Sequence, residues 1–416
     1  MTTNSTDGSS TSRIVIVGAG PAGIAAADAL RGAGHVGEIL IFGEEAHPPY
    51  DRPPLSKQIL AGTWPLEKAR LRTREELTAA GTKLQLSTRA TALDVQAHRL
   101  ELDSGQSVFY DALIIATGVR ARRLSAAQGL RGVHLLRGLD DAVALRTELD
   151  GVQKIAVVGS GFLGAEVAAV CRDQGKDVTL IGSRELPMQE QVGDEIGTML
   201  ADLHRSHGVH LELGVSAAAF THTGHHVTGV SLIDGRTVPA DLVVVAIGSE
   251  PSVDWLGGSE VPLAAFDDDG AGGVRCDSTG RAAKDVWAIG DVAAWWDPDR
   301  RQYVRVEHRQ AANEHALRSA QDILGRPAEH APLVPYFWSD QYDLKIQSFG
   351  QQSRQHRFQV VDGSVDERRF VAVSTDQSGR VLGVIGAGMF KSLRRWRQAL
   401  VDGNTVEEML TSAFVT

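Results

Sequence analysis

Two short apolar runs set the plan of the chain. "RIVIV" at residues 13–17 and "KIAVV" at 154–158 each follow one basic residue with an unbroken hydrophobic stretch, the pattern of a strand buried on both faces. Each run gives way to a glycine turn, Gly18-x-Gly20-x-x-Gly23 in the first and Gly159-x-Gly161-x-x-Gly164 in the second. Alanine-rich helical stretches follow, "IAAADALRGAG" and "AEVAAVCRDQG". Farther along, both copies meet alternating apolar segments broken by Asp-Ser-Gly or Asp-Gly: "LELDSGQSVFYDALIIATG", ending at Gly118, and "VSLIDGRTVPADLVVVAIG", ending at Gly248. These predict a hairpin and then a buried strand. The duplicated plan predicts an α/β chain with two Rossmann-like dinucleotide-binding domains.

The spacing of the glycines has a physical reason. The first makes the tight turn, the second lets backbone N–H groups reach a pyrophosphate, and the third lets helix and strand pack closely. The partial positive charge at the helix N-terminus then faces the phosphates. Two bound dinucleotides in one chain imply that electrons pass from one to the other. After the first copy, "EILIFGEE" supplies Glu44 as an acceptor for a ribose diol, the alternative being a solvated acidic turn. "VWAIGDVA" at 286–293 ends a strand in Gly290-Asp291, which can offer a carboxylate to a ribityl hydroxyl and N–H groups to phosphate.

Composition narrows the picture. A chain of 416 residues, 43% hydrophobic, has room for two or three domains. "MTTNSTDGSSTS" is polar and small, and reads as a disordered tail over 1–12 without the apolar core of a signal peptide, so a cytoplasmic protein is expected. No run reaches the length of a bilayer span, so no stable membrane insertion is expected. A net charge of −10 disfavours nucleic acid as a partner. The only cysteines, Cys171 and Cys276, form no CxxC pair, which argues against dithiol chemistry. His222, His225 and His226 crowd a hairpin tip, and no metal is expected there.

"VGAGPAG", "PPYDRPPLSK", "ATG", "VVGSGFLGAE", "AIGDVA", "RVEHRQAANEH" and "YFWSDQYDLKIQSFG" together resemble the FAD-dependent ferredoxin reductases of oxygenase systems, over nearly all of the chain after residue 12. "RPPLSK" and "YFWSDQYDLKIQ" are the most specific of these. The resemblance implies a glutathione-reductase-like fold. Its parts would be an FAD domain at 13–120 and 252–330, an NAD(P) domain at 121–251, and a C-terminal α+β interface domain at 331–416. It places FAD on Gly18, Ala19, Gly20, Pro21, Ala22, Gly23 and Glu44, and on Arg52, Lys57, Ala90, Ala116, Thr117 and Gly118. Arg137, Gly290, Asp291 and Val304 complete that set. The nicotinamide coenzyme would lie on Gly159, Gly161, Phe162, Leu163, Gly164, Glu166, Ser183, Arg184, Ile247 and Gly248.

Three residues are implied in the chemistry: Lys57 beside the flavin ring, Glu166 near the nicotinamide, and Trp338 as an aromatic wall to the hydride-transfer site. Lys57 also reads as a helix-start charge after two prolines, and Glu166 as a solvated first-turn acid. The implied partner is a ferredoxin, commonly acidic, which would need a basic patch on an acidic reductase. Lys391, Arg394, Arg395 and Arg397 in "FKSLRRWRQAL", together with Lys345, are the candidates, with a monomer or homodimer expected. NAD(P)H oxidase and apoptosis-inducing-factor-like readings remain as alternatives.

The chain departs from the family in three places. Gly182 stands where NADH-using relatives usually carry an acid for the adenosine ribose, and "VTLIGSRE" offers Ser183 and Arg184 to a 2′-phosphate instead. NADPH is therefore expected to serve at least as well as NADH, unless Glu185 takes the acid's role. Arg309 and His315 replace a frequent Trp and Gln near the expected flavin.

Overall fold

The computed structural model describes residues 12–265, 272–298, 300–327, 334–352 and 356–412; the first eleven residues of the expected tail and the expected boundary at 330/331 lie outside them. The chain divides into two compact units. One gathers the described residues of 1–51, 66–120 and 249–333, the other those of 52–65, 121–248 and 334–416.

In the first unit, β1 (Ile14–Val17) lies between β2 (Ile39–Phe42) and the strand Ala112–Ile115, parallel to both. Thr82–Gln85 extends the sheet on one side; Val286–Ala288 and then Arg281–Ala283 extend it on the other. The runs IVIV and ALII are buried at every position, as a parallel sheet covered on both faces requires. Helix α1 (Pro21–Gly32) follows β1, with proline preset for its first turn and Gly23, Ile24, Ala26, Ala27 and Leu30 buried. The small residues let it lie close to the helix Arg309–Ile323.

The second unit repeats the plan. β3 (Lys154–Val158) runs parallel between β4 (Asp177–Gly182) and Leu242–Val245, with His210–Leu213 and Val133–His134 at the edges. Helix α2 (Phe162–Asp173) springs from its glycine turn. The same unit holds an antiparallel five-stranded sheet that begins with β5 (Tyr336–Gln341) and β6 (Leu344–Gly350). Helix α3 (Gln189–Ser206) packs Val192, Ile196, Leu200 and Leu203 into a core with Leu344, Ile346, Phe370 and Ile385 of that sheet. Helix α4 (Phe390–Asp402) packs Leu393, Trp396 and Ala399 against Val371, Val373 and Val384. Strand alternation puts those two sets on opposite faces.

The segment 52–65, expected within the FAD domain, clusters with the second unit. Its backbone is tied there: Arg146 donates to the Ile59 carbonyl and Gln174 to that of Leu60.

Candidate active site

The two glycine turns have the same geometry, and their glycines are required for different reasons. Gly18 and Gly159 have φ of +118° and +113°, which L side chains rarely adopt. A Cβ on either would stand 2.2 Å from a carbonyl oxygen, that of Ala116 or of Ala246. At Gly23 and Gly164 a Cβ would meet the carbonyl oxygen of Gly18 or Gly159 at 1.9 and 1.8 Å. The fold itself forbids side chains at these four. Around Gly20 and Gly161 nothing lies within 4 Å of an added Cβ. These two also cap α1 and α2 with no side-chain acceptor and no acid in the first turn, leaving helix N–H groups for an outside anion. The donor set thus fits the pyrophosphate of a dinucleotide in each copy.

The sheet registers align the ribose readers. Val17 pairs with Phe42 and Val158 with Ile181, so Gly43 corresponds to Gly182, Glu44 to Ser183 and Glu45 to Arg184. The internal counterpart of Glu44 is therefore Ser183, and that of Gly43 is Gly182. A Cβ on Gly182 would lie 2.1 Å from Ser160 Oγ, just as one on Gly43 would lie 2.6 Å from Ala19 Cβ. Both glycines make room for the turn residue beside them. Glu44 is exposed and no side chain pairs with it among the described residues, whereas Tyr50 donates to Glu45. Ser183 is likewise exposed, while Arg184 is paired with Glu190, a residue the sequence reading did not single out.

Lys57 and Glu166 meet in the second unit. Pro53 and Pro54 open a short 3₁₀ turn ending at Ser56, and Lys57 follows with its ammonium 2.6 Å from Glu166 Oε2. Ser56 Oγ donates to the same oxygen at 2.6 Å, and Ser339 Oγ of β5 donates to Oε1 at 3.0 Å. Lys57 is 9% exposed and Glu166 4%, on the fifth residue of α2. The solvated first-turn alternative for Glu166 therefore falls, and so does the helix-start alternative for Lys57. The sequence did not indicate Ser56 and Ser339, because their bonds to Glu166 span 110 and 173 residues.

Trp338 is not part of this cluster. It precedes Ser339 on β5, so its ring lies on the opposite strand face, stacked on Tyr336 at 5.7 Å. Lys345, Gln347 and Phe349 are the cross-strand partners of Asp340, Trp338 and Tyr336 on that face. Arg397 of α4 lies over the Phe349 ring at 5.5 Å, and Lys345 is 3.7 Å from Asp340. Arg395 bonds the Met409 carbonyl, while Lys391 and Arg394 are exposed with no carboxylate partner among the described residues. Four of the five basic candidates thus sit on one helix and the fifth on the sheet face that it covers.

The first unit accounts for the two unusual residues of its helix. His315 is buried against Trp295, ring centroids 3.9 Å apart, and its Nδ1 accepts from the Gly290 N–H at 3.2 Å. Burial pushes its pKa down to about 3, so it stays neutral and fixes the turn that carries Asp291. Arg309 bonds Asp51 at 3.0 Å and Asn313 at 2.7 Å. Arg305 reaches the Asp291 carbonyl from the strand that holds Val304. Ala90 and Ala116 are buried, and Thr117 donates to the Ser252 carbonyl. In the second unit Arg52 donates to the Arg137 carbonyl at 2.7 Å, and Gly248, after Ile247, has open space around an added Cβ.

Neither thiol is exposed. Cys171 in α2 and Cys276 are both buried, and burial raises both pKa values, that of Cys171 to about 12. At the hairpin tip, His222 Nδ1 is engaged with the Gly224 carbonyl. Among the described residues no helix is long and apolar enough to cross a membrane.

Residues 12–316 match the pyridine nucleotide-disulphide oxidoreductase family, and 336–412 match the reductase C-terminal family. The ferredoxin–NAD(+) reductase component of the p-cumate 2,3-dioxygenase system of Pseudomonas putida is 36% identical over 394 residues, 94% of each chain. The ferredoxin reductase for the CYP199A2 system of Rhodopseudomonas palustris has a TM-score of 0.89 at 33% identity, covering 95% of this chain and 96% of that one. The structure of the covalent putidaredoxin reductase–putidaredoxin complex also gives 0.89, at 28% identity, over 98% of this chain and 100% of that one.

Proposed function

The chain belongs to the pyridine nucleotide-disulphide oxidoreductase family, among the ferredoxin reductases of oxygenase systems, and on that premise we propose how its residues divide the work of an FAD-dependent NAD(P)H:ferredoxin oxidoreductase. FAD, when bound, accepts two electrons as a hydride and releases them singly to an iron–sulfur protein. The α1 turn, Glu44 and Asp291 hold that cofactor; the α2 turn with Ser183 and Arg184 holds the nicotinamide coenzyme. Lys57 supplies a fixed positive charge for the reduced flavin, and Glu166 keeps that charge in place.

The observation that carries this reading is the buried Lys57–Glu166 pair one turn past the second pyrophosphate cradle, in a chain whose two thiols are buried. A cysteine-dependent oxidase or peroxidase has no candidate thiol here. NADPH serves at least as well as NADH, because no carboxylate stands at the second ribose reader and Arg184 is one residue beyond it. Arg184 then exchanges Glu190 for the 2′-phosphate. The enzyme works in the cytoplasm.

The ferredoxin docks on Lys391, Arg394, Arg395 and Arg397 of α4 with Lys345, and Trp338 on that sheet face lies beside the contact. Double charge reversal, Lys391→Glu with Arg394→Glu, should slow reduction of an acidic [2Fe–2S] ferredoxin by about tenfold or more at low ionic strength while sparing ferricyanide reduction. An equal loss with both acceptors overturns the docking assignment. Failure of NAD(P)H to bleach the bound flavin overturns the reductase reading itself.

A further inference from the structure

Three polar side chains, Ser339, Gln341 and His204, are 0–1% exposed inside the second unit, beside a core of Met188, Val192, Ile196, Leu200, Leu203, Leu344 and Ile346. Burying polar groups there costs free energy unless each is bonded, and apolar residues would have filled the space without that cost. All three lie on one line of hydrogen bonds whose direction is fixed. Glu166 receives donors at both oxygens, Ser56 and Lys57 at Oε2 and Ser339 Oγ at Oε1. Gln341 Nε2 donates to Ser339 Oγ at 3.1 Å and to Met188 Sδ at 3.2 Å. Its Oε1 therefore faces His204 Nε2 at 3.0 Å, and this nitrogen must carry the proton. Nδ1 is left as the acceptor for the Tyr342 hydroxyl at 3.0 Å.

Tyr342 supplies a second, independent observation. Its φ is +56°, a left-handed conformation that a bulky residue rarely adopts. The hairpin between β5 and β6 keeps it there, stacked on His207 at 3.7 Å and 13°. Burial lowers the His204 pKa to about 4 and raises that of Tyr342, so neutral imidazole and intact phenol persist around neutral pH.

We propose that His204 and Tyr342 are positioning residues for Glu166, acting through Gln341 and Ser339 to hold its Oε1 and so keep Oε2 under the Lys57 ammonium. Every donor in the line points toward the carboxylate. Losing the terminal hydroxyl frees His204 Nδ1 and lets the line reverse, leaving Oε1 unheld. The inference rests on the reading that Lys57 and Glu166 serve hydride transfer.

The test is anaerobic rapid mixing of FAD-loaded enzyme with NADPH. Tyr342→Phe keeps the ring stack and removes one oxygen; Ser339→Ala interrupts the line at its small member. Each should lower the limiting rate of flavin reduction about fivefold, with the coenzyme dissociation constant unchanged. In a Glu166→Gln background the loss from Tyr342→Phe should vanish. Undiminished rates in both variants, or an equal loss in the Glu166→Gln background, overturn the proposal. An unchanged rate in Glu166→Gln alone overturns the role of the Lys57–Glu166 pair, and the positioning proposal with it.

Discussion

The two glycine turns share a backbone and differ in the side chains around it. In both, glycine is forced by the fold at the first and third positions and left open at the second. In both, the residue after the ribose reader is tied back by the protein, Glu45 by Tyr50 and Arg184 by Glu190. The difference lies in what remains: Glu44 against Ser183 as the free reader, and Ala25 against Glu166 as the fifth residue of the helix. The cradle is generic for pyrophosphate, and identity is written just outside it. A duplicated unit can therefore hold a resident cofactor in one copy and exchange a coenzyme in the other.

The strongest way to break the symmetry is to fill one open glycine. Gly161→Val should fold, since nothing stands in the way, yet lower kcat/KM for the coenzyme on the order of a hundredfold while flavin absorbance persists. Gly20→Val should give folded protein without yellow colour. Loss of both ligands in either variant would show that the copies are not independent. Turning the second helix into the first by Glu166→Ala strands a buried ammonium and should cost about 3–5 kcal/mol in denaturant titration. A change below about 1 kcal/mol would mean that Lys57 reaches water, as exposed pairs do.

Exchange of the readers is subtler. Ser183→Glu with Arg184→Ala should reduce kcat/KM for NADPH about tenfold or more and leave NADH largely unaffected, the loss of a charge-assisted bond. A strong NADH preference in the unaltered enzyme, unmoved by this pair, sinks the 2′-phosphate assignment.

The smallest effect compares the buried histidines, His315 in the first unit and His204 in the second. Both have folded pKa values below the ordinary 6.5, about 3 and about 4. The unfolded chain then binds protons first, so stability holds above pH 6.5 and falls as pH drops, for His204 down to about 4 and for His315 down to about 3. Thermal scans from pH 7 to pH 4 should show a declining midpoint, and His204→Asn should flatten the decline. An unchanged slope removes His204 from the account.

Much of this was legible in the sequence because it is local. Strand, turn and helix occupy contiguous residues at fixed spacing, and "RPPLSK" points to Lys57 through the resemblance that it carries. What escaped depended on register and on distant partners. The pairing of Arg184 with Glu190 shows only once the fold brings the two side chains together. Strand alternation separates Trp338 from Ser339, although they are neighbours in sequence. The bonds of Ser339 to Glu166 and of Gln341 to His204 join residues far apart in the chain, and no periodicity announces them.

The six-stranded sheet of the first unit has a consequence for how the protein is made. Ala112–Ile115 takes its outer neighbour from Val286–Ala288, and the whole second glycine copy is synthesised between the two. For roughly ten to thirty seconds at ordinary ribosome speeds the nascent chain carries a bare, fully apolar strand edge. Such an edge invites pairing with other chains. Yield in a heterologous host should therefore depend on growth temperature and chaperone supply more than the finished molecule's stability would suggest.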